Sequence, residues 1–388
     1  MQSKKLKVLL VANSSWYIYN FRLQLLRDLR KNNFIVEVVS PYDEFTHLIM
    51  ENGFKVHLWG LDRKSVNPIS ELISFFRLFK IYKNSAPDIV HHFTIKACIY
   101  GSLSAKLNST EIVLNAITGL GHLFISENIL KRIILFFLSP IYRFVFTSKG
   151  SRVIFQNEDD KESLINLGIT NRNVACTIAG SGVDTKFFKP DSNATKSFHQ
   201  PLRLLFPARL IKEKGINELL EACKLLWRQS ISMELYIAGD LDKGNPSTLT
   251  LREKKVIQNN SRIHLLGHVS NMYELYNSID VVILPSWREG TSKVLLEAAS
   301  LEKPIITTDT SGCRNIIKHG VSGLLVNLKD ARSIERAILL YLHNPSFAFG
   351  LGVNARKEVV TKFNLEKIND LTIKEYYSLC RDKINKLP

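Results

Sequence analysis

The chemistry-bearing side chains of this chain concentrate in two short segments. One is Ala208-Arg209-Leu210-Ile211-Lys212-Glu213-Lys214-Gly215, which follows an apolar run ending at Pro207 and precedes a helix-patterned stretch. An arginine and a lysine in a strand-to-helix loop suit a diphosphate, because the guanidinium fork, the ammonium and the positive end of the helix dipole all favour negative charge. The other segment is Pro285-Ser286-Trp287-Arg288-Glu289-Gly290-Thr291-Ser292-Lys293, again between an apolar run and a helix, which carries Glu297. Glu289 falls at the junction and Glu297 about two turns along the helix. Carboxylates so placed accept hydrogen bonds from hydroxyls on two sugar rings. Gly290 permits close approach of backbone to a ligand, and the N–H groups of Thr291, Ser292 and Lys293 would face a phosphate. Taken singly, each segment also fits an ordinary helix start, with Thr291 or Ser292 as its cap and Glu297 on a solvated face.

Both segments need parallel strands to position them. Short β-branched runs alternate with amphipathic stretches along the whole chain. Strands are expected at Leu6–Ala12, Ile35–Val39, Lys55–Leu58, Ile89–His92, Glu111–Asn115, Arg152–Phe155 and Val174–Ile178, and again at Leu202–Phe206, Glu234–Ala238, Ile263–Leu266, Val281–Leu284, Pro304–Thr307 and Gly323–Val326. Helix-length segments separate them, including Phe21–Lys31, Ile69–Tyr82, Ala97–Leu107, Ile129–Phe144, Ile216–Trp227, Lys293–Ser300 and Ile334–Leu342. Such alternation implies βαβ crossovers and parallel sheets covered on both faces. The polar stretch Lys189–Gln200 reads as a linker. The expected organisation is an N-terminal domain over 1–188, a C-terminal domain over 201–364 and a closing helix, 365–388, returning toward the first domain. The fold class is α/β, with two Rossmann-like, doubly wound domains facing across a cleft.

The 388 residues suffice for two cores. Five scattered cysteines, without a CxxC pair, indicate reduced thiols in a cytosolic protein. The N-terminal apolar run is too short for a signal h-region and reads as a first strand. With 52 basic and 36 acidic residues the formal charge is +16, which suits nucleic acid, an anionic membrane or a phosphate-bearing substrate. No basic–aromatic nucleic-acid module is present. Ile129–Phe146 is the most apolar region, but Lys131, Arg132, Arg143 and Pro140 interrupt it, so it does not span a bilayer. It matches either an interfacial helix or a core helix with a wet basic side. His264 and His268 share the spacing HLLGH on a strand and turn, where side chains four apart do not converge on a metal, and no HExxH glutamate follows.

The combination of ARLIKEKG (Ala208–Gly215), YIAGD (Tyr236–Asp240), IHLLGHV (Ile263–Val269), REGTSKVLLEA (Arg288–Ala298) and GSGVDTKFFKP (Gly180–Pro190) resembles the retaining GT-B glycosyltransferases called family 4, in the family's order and over nearly the whole chain. The resemblance implies a glycosyltransferase in which Arg209 and Lys214 bind the donor diphosphate and stabilise the leaving group. It implies that Glu297 holds the ribose, Glu289 contacts the donor sugar near the reacting carbon, and Gly267, His268 and Val269 pack against the base. Gly290, Thr291 and Ser292 complete the implied donor site, and no metal or other cofactor is expected.

The N-terminal segments Ser14–Leu29, SPYDEFTHLI, GFKVH, DRKSVNP, HHFTIKACIYG and ITGLGH resemble transferases that build bacterial lipid-linked oligosaccharides. Those are N-acetylgalactosaminyl- and galactosyl-type enzymes of O-antigen, capsule and N-glycan assembly, acting on a sugar carried by undecaprenyl diphosphate. This implies a UDP-sugar donor, a polyprenyl-diphosphate-linked acceptor, an anionic membrane surface as partner, no nucleic acid, and a cytoplasmic location on the inner face of the membrane. His92 and Lys96, at a strand's carboxyl end, and Gly119 and Gly121 are acceptor-side candidates, with a structural role for His92 as the alternative. Two departures from the family stand out. The loop after the first strand is Asn13-Ser14-Ser15 in place of a Gly-Gly pair, and Ala116-Ile117-Thr118-Gly119 lacks the histidine many members carry, so no base is assigned. A sugar-nucleotide epimerase or hydrolase on the same scaffold, and a non-enzymatic basic surface-binding protein, are the competing readings.

Overall fold

The computed structural model describes residues 5–62, 67–119, 139–148, 150–191, 197–242 and 244–384. Most of its strands are buried along nearly their full length, as at Val281–Leu284, Ile305–Thr308 and Ile89–Phe93. Apolar strands buried on both faces require helices above and below, and a parallel arrangement supplies them.

In the first half the elements run β1 Lys7–Val11, α1 Ser15–Lys31, β2 Ile35–Ser40, α2 Thr46–Glu51, β3 Lys55–Leu58, α3 Pro68–Ser85, β4 Ile89–Phe93, α4 Ile95–Leu107, β5 Ile112–Ile117, β6 Ser151–Phe155, α5 Glu158–Asn166 and β7 Ala175–Thr177. They form a seven-stranded parallel sheet in the order β3-β2-β1-β4-β5-β6-β7.

The second half restarts with β8 Leu202–Phe206, a 3-10 turn at Lys212–Lys214, α6 Ile216–Arg228, β9 Met233–Ala238, α7 Leu251–Gln258, β10 Ile263–Gly267, α8 Met272–Asn277 and β11 Val281–Leu284. It continues through α9 Lys293–Ser300, β12 Ile305–Thr308, α10 Ser311–Arg314, β13 Leu324–Val326, α11 Ala331–His343, α12 Pro345–Lys362 and α13 Leu365–Ile384. Its six strands are parallel in the order β10-β9-β8-β11-β12-β13. Each sheet grows outward in both directions from its first strand, which is the doubly wound pattern.

The chain divides into two compact units, Met1–Ser181 with Ile368–Pro388, and Gly182–Lys367. The division falls earlier than the polar stretch 189–200. Val183 explains the difference: its N–H donates to Phe363 O at 2.9 Å and its carbonyl accepts from Leu365 N at 3.0 Å, which ties this segment to the second unit. Most of α13 lies in the first unit's core, where Ile368, Ile373, Tyr376, Leu379 and Cys380 pack with strand residues such as Val8, Leu10 and Leu114. Tyr376 Oη and His91 Nδ1 are 2.8 Å apart within that core.

Three helices differ from the sequence expectations. α1 begins at Ser15, well before Phe21, because Ser14 Oγ caps it by accepting from Tyr17 N. α7 was missed because only Ile257 is buried along it, although Thr250 and Glu253 form a reciprocal capping box legible as T-x-x-E. α12 was missed because Gly350 and Gly352 interrupt the apolar period. In the fold a small-residue face, including Ala348, Gly352 and Ala355, is buried there, and Gly352 packs against the carbonyl of Glu302 with no room for a Cβ. The expected helix Ile129–Phe144 lies partly outside the described residues, and within them 139–146 is helical. Among the described residues no helix is long and apolar enough to cross a membrane.

A Gly352→Ala substitution is expected to cost about 1–3 kcal/mol by overpacking against the Glu302 backbone, despite alanine's better helix propensity. Urea unfolding with a lowered midpoint would show it, and an unchanged midpoint would contradict the packing described.

Candidate active site

In the second unit the strand order reverses between β8 and β11, which pair in parallel through Val281–Leu204 and Val282–Leu205. Loops leaving the carboxyl ends of two such strands flank the crevice in which doubly wound sheets take ligands. The two segments singled out by side-chain chemistry are these two loops, 207–215 after β8 and 285–292 after β11.

Glycines weld the loop backbones together. Gly215 has φ +75° and sits so close to Pro285 O that no Cβ fits. Gly239 abuts Ala208 O, and Gly312 abuts the carbonyls of Glu289 and Gly290, in the same way. Direct hydrogen bonds add to this: Trp287 N donates to Glu213 O at 2.8 Å, and Leu210 N to Asp240 O at 3.0 Å.

On that frame Lys214 Nζ lies 2.5 Å from Glu289 Oε1, with the two side chains 20% and 12% exposed. Ser286 Oγ donates to the same Oε1 at 2.7 Å. A cation and a carboxylate meeting at the switch point offer a diphosphate and a hydroxyl-bearing ring complementary partners within one small volume. Arg209 NH1 pairs with Asp242 Oδ2 at 2.5 Å, but Arg209 is 55% exposed. Such surface pairs contribute about 0–1 kcal/mol, so the contact with Asp242 holds Arg209 only weakly.

Glu297 lies on α9 and is buried, so the alternative of a solvated face residue falls away. Tyr276 Oη donates to its Oε2 at 3.2 Å, and Lys293 Nζ stands 3.8 Å from Oε1. Burial raises its pKa above the ordinary carboxylate value, while Lys293 and Tyr276 act in the opposite direction. Ser292 is the N-cap residue of α9, yet its side chain makes no capping hydrogen bond. The helix's first amides therefore lack both intrahelical acceptors and that side-chain cap, at the end where the dipole is positive.

The remaining donor-side residues sit farther along the same rim. Gly267 ends β10 with φ +67° and open space where a Cβ would be, and the next residue, His268, is exposed. The loop after β9 lies between, reaching Arg209 through Asp242. Because every strand is parallel, the segments 207–215, 239–242, 267–269 and 285–292 all emerge on one edge of the sheet.

Family models match both halves of the chain: "Glycosyl transferase 4-like" over 7–157 and "Glycosyl transferases group 1" over 187–358. The chain belongs to the group 1, family 4-like glycosyltransferases. It is 29% identical over 352 residues to the N,N'-diacetylbacillosaminyl-diphospho-undecaprenol alpha-1,3-N-acetylgalactosaminyltransferase of Campylobacter jejuni, covering 88% of this chain and 91% of that one. It is 25% identical over 326 residues to the UDP-Gal:alpha-D-GlcNAc-diphosphoundecaprenol alpha-1,3-galactosyltransferase of Escherichia coli, covering 80% and 81%. The crystal structure of a glycosyltransferase from Rickettsia africae superposes with a TM-score of 0.77 at 19% identity, over 97% of this chain and 99% of that one, so the GT-B fold is shared.

The first unit of this glycosyltransferase treats its four singled-out residues differently. His92 is fully buried, with Nδ1 2.7 Å from Asn115 Oδ1 and Nε2 2.8 Å from Tyr82 Oη. The amide oxygen only accepts, so Nδ1 donates and Nε2 accepts from the tyrosine. Both ring nitrogens are engaged in the core, and the acceptor-side expectation for His92 gives way to a structural role. Lys96 Nζ pairs with Glu71 Oε1 at 2.8 Å and donates to Asp62 O at 3.3 Å. Gly119, at φ +144°, has open space around it, and Gly121 lies outside the described residues.

Several supporting residues were not foreseen. Ser286 orients Glu289 and Tyr276 anchors Glu297, but a lone serine or tyrosine carries no spacing signal. Trp287 donates its indole N–H to Glu218 at 3.2 Å and has Lys329 Nζ 4.3 Å over its ring. Gly312 could have been suspected from the glycine just after an apolar run, in Thr310-Ser311-Gly312-Cys313.

Burial holds the His92 pKa down to about 4, against about 6.5 in an unfolded chain. The folded state therefore binds fewer protons, and this contribution to stability is intact above about 6.5 and is lost as pH falls toward about 4. A His92→Gln variant is expected to flatten that part of the stability–pH profile, and an unaltered profile would contradict the assignment. Glu297 has the opposite sign: its raised pKa makes its charge a cost that grows as pH rises past the ordinary carboxylate range. Glu297→Gln should melt no lower than the parent at neutral pH, with the difference vanishing in acid. A markedly lower melting temperature at neutral pH would contradict this.

Proposed function

We propose that this glycosyltransferase moves a hexose or N-acetylhexosamine from a UDP-linked donor to a sugar on a polyprenyl-diphosphate carrier, with retention of anomeric configuration, at the inner face of the cytoplasmic membrane. The observation that carries the donor half is the meeting of Lys214 and Glu289 at the β8–β11 switch point, with Arg209 on the same loop. The acceptor half draws on two relatives, from Campylobacter jejuni and Escherichia coli, whose names specify diphospho-undecaprenol-linked sugars, the latter with UDP-Gal.

In this reading the diphosphate of the donor takes Lys214 and Arg209 as counter-charges, displacing their contacts with Glu289 and Asp242. As the bond between the sugar's anomeric carbon and the diphosphate breaks, negative charge builds on the departing oxygen, and these preorganised cations stabilise it most at that moment. The positive end of the α9 dipole adds to that field. Glu289, relieved of Lys214, accepts from the sugar's hydroxyls and holds the ring near its attack geometry. Glu297 accepts from the ribose, and Gly267, His268 and Val269 flank the base. The charge of the leaving group is met by side chains, without a metal.

Arg209→Ala, Lys214→Ala and Glu289→Ala are each expected to lower kcat/KM about 10²–10³-fold, the loss typical of one preorganised charge donor, with melting temperatures near the parent's. Glu297→Gln should raise the donor KM about tenfold or more, the scale of one hydrogen bond to a charged group. The assay is a panel of nucleotide sugars with a short-chain polyprenyl-diphosphate sugar acceptor, read by mass and by the anomeric configuration of the product. An inverted product, or full activity in Glu289→Ala, would overturn the assignment.

A further inference from the structure

Helix α3 presents an unusual surface. Asn67 caps it by accepting from Ile69 N, Pro68 occupies its first turn, and Ser74, Leu78, Tyr82 and Ser85 form its buried side. The opposite side carries Ile69, Leu72, Ile73 and Phe76, which are 71%, 56%, 47% and 57% exposed. Their spacing puts all four on one face. Farther along the same face come Lys80 and Lys83, with Arg77 at its edge, all exposed. Arg77 NH1 donates to the carbonyl of Gly60 at 3.5 Å.

The acidic residue of this helix is turned away from that face. Glu71 pairs with Lys96 through Oε1 and accepts from Tyr100 Oη through Oε2, both on α4. The outer face is therefore apolar over its first two turns and basic over the rest, and among the described residues no carboxylate pairs with Lys80 or Lys83.

We propose that this face of α3 docks on an anionic lipid bilayer, with Ile69, Leu72, Ile73 and Phe76 entering the headgroup–acyl boundary and Arg77, Lys80 and Lys83 pairing with lipid phosphates. A contiguous apolar stripe of this kind marks an interaction surface. The basic half decides what covers it. A surface-seated helix buries its apolar side chains and lets long cations reach the headgroups, and a negative leaflet attracts uncompensated lysines and arginines. A second copy of this face would bring the same cations and no acid to meet them. The inference rests on the geometry of α3 and stands independently of the proposed acceptor.

Co-sedimentation of the full chain with vesicles of phosphatidylcholine, alone or mixed with phosphatidylglycerol, tests it without any substrate. Binding is expected only to the anionic vesicles and falling with salt. A Leu72→Ser/Phe76→Ser double variant, with its melting temperature as the folding control, should bind at least about tenfold more weakly. A Lys80→Glu/Lys83→Glu variant should lose the preference for phosphatidylglycerol. Phe76→Trp should show a blue-shifted emission on adding anionic vesicles, which keeps the test open if the serine variant folds poorly. Vesicle binding unaffected by these changes, or a dimer in solution that the serine variant dissociates, would overturn the proposal.

Discussion

The close approach of Gly215 to the carbonyl of Pro285 is the contact on which the site depends. It demands a residue without a Cβ in a left-handed conformation, and in return it sets two loops backbone to backbone at the point where the strand order reverses. Lys214, the preceding residue, is thereby placed against Glu289 from the other loop. Gly239 and Gly312 repeat the device on either side. Charged side chains on loops are ordinarily mobile, and these three contacts are what give them fixed positions.

The electrostatics of the site trade stability for function. Glu297 is a carboxylate taken out of water with Tyr276 and, at 3.8 Å, Lys293 for compensation, an arrangement that costs folding free energy. The Lys214–Glu289 pair keeps both charges compensated. Their mutual attraction also limits the conformations open to both side chains.

The first unit distributes its polar groups otherwise. His92 is hydrogen-bonded to Asn115 and Tyr82 inside the core, where burial keeps the imidazole neutral. Exposed positive charge on α3 adjoins exposed apolar side chains, and among the described residues no carboxylate pairs with Lys80 or Lys83. A net formal charge of +16 therefore has a definite local expression as well as a general one.

Alternating apolar runs and helix-length segments were enough to establish two parallel, doubly wound sheets, because a strand buried on both faces has a composition that cannot be disguised. Arg209, Lys214 and Glu289 could be singled out as candidates for a related reason: they stand in loops just after strand ends, and parallel topology sends all such loops to one edge; Glu297 lies on the helix that follows. What the chain's linear order could not express is proximity between distant residues. Lys214 against Glu289, Tyr276 against Glu297, Val183 against Asn364 and the return of α13 to the first core are all made by chain folding over long separations. Burial was equally invisible, so a solvated face for Glu297 and an acceptor-side position for His92 stayed open as alternatives until the structure showed both side chains buried. Sequence determined which groups were available and at which strand ends they stood; tertiary structure decided which of them meet and which are taken out of water.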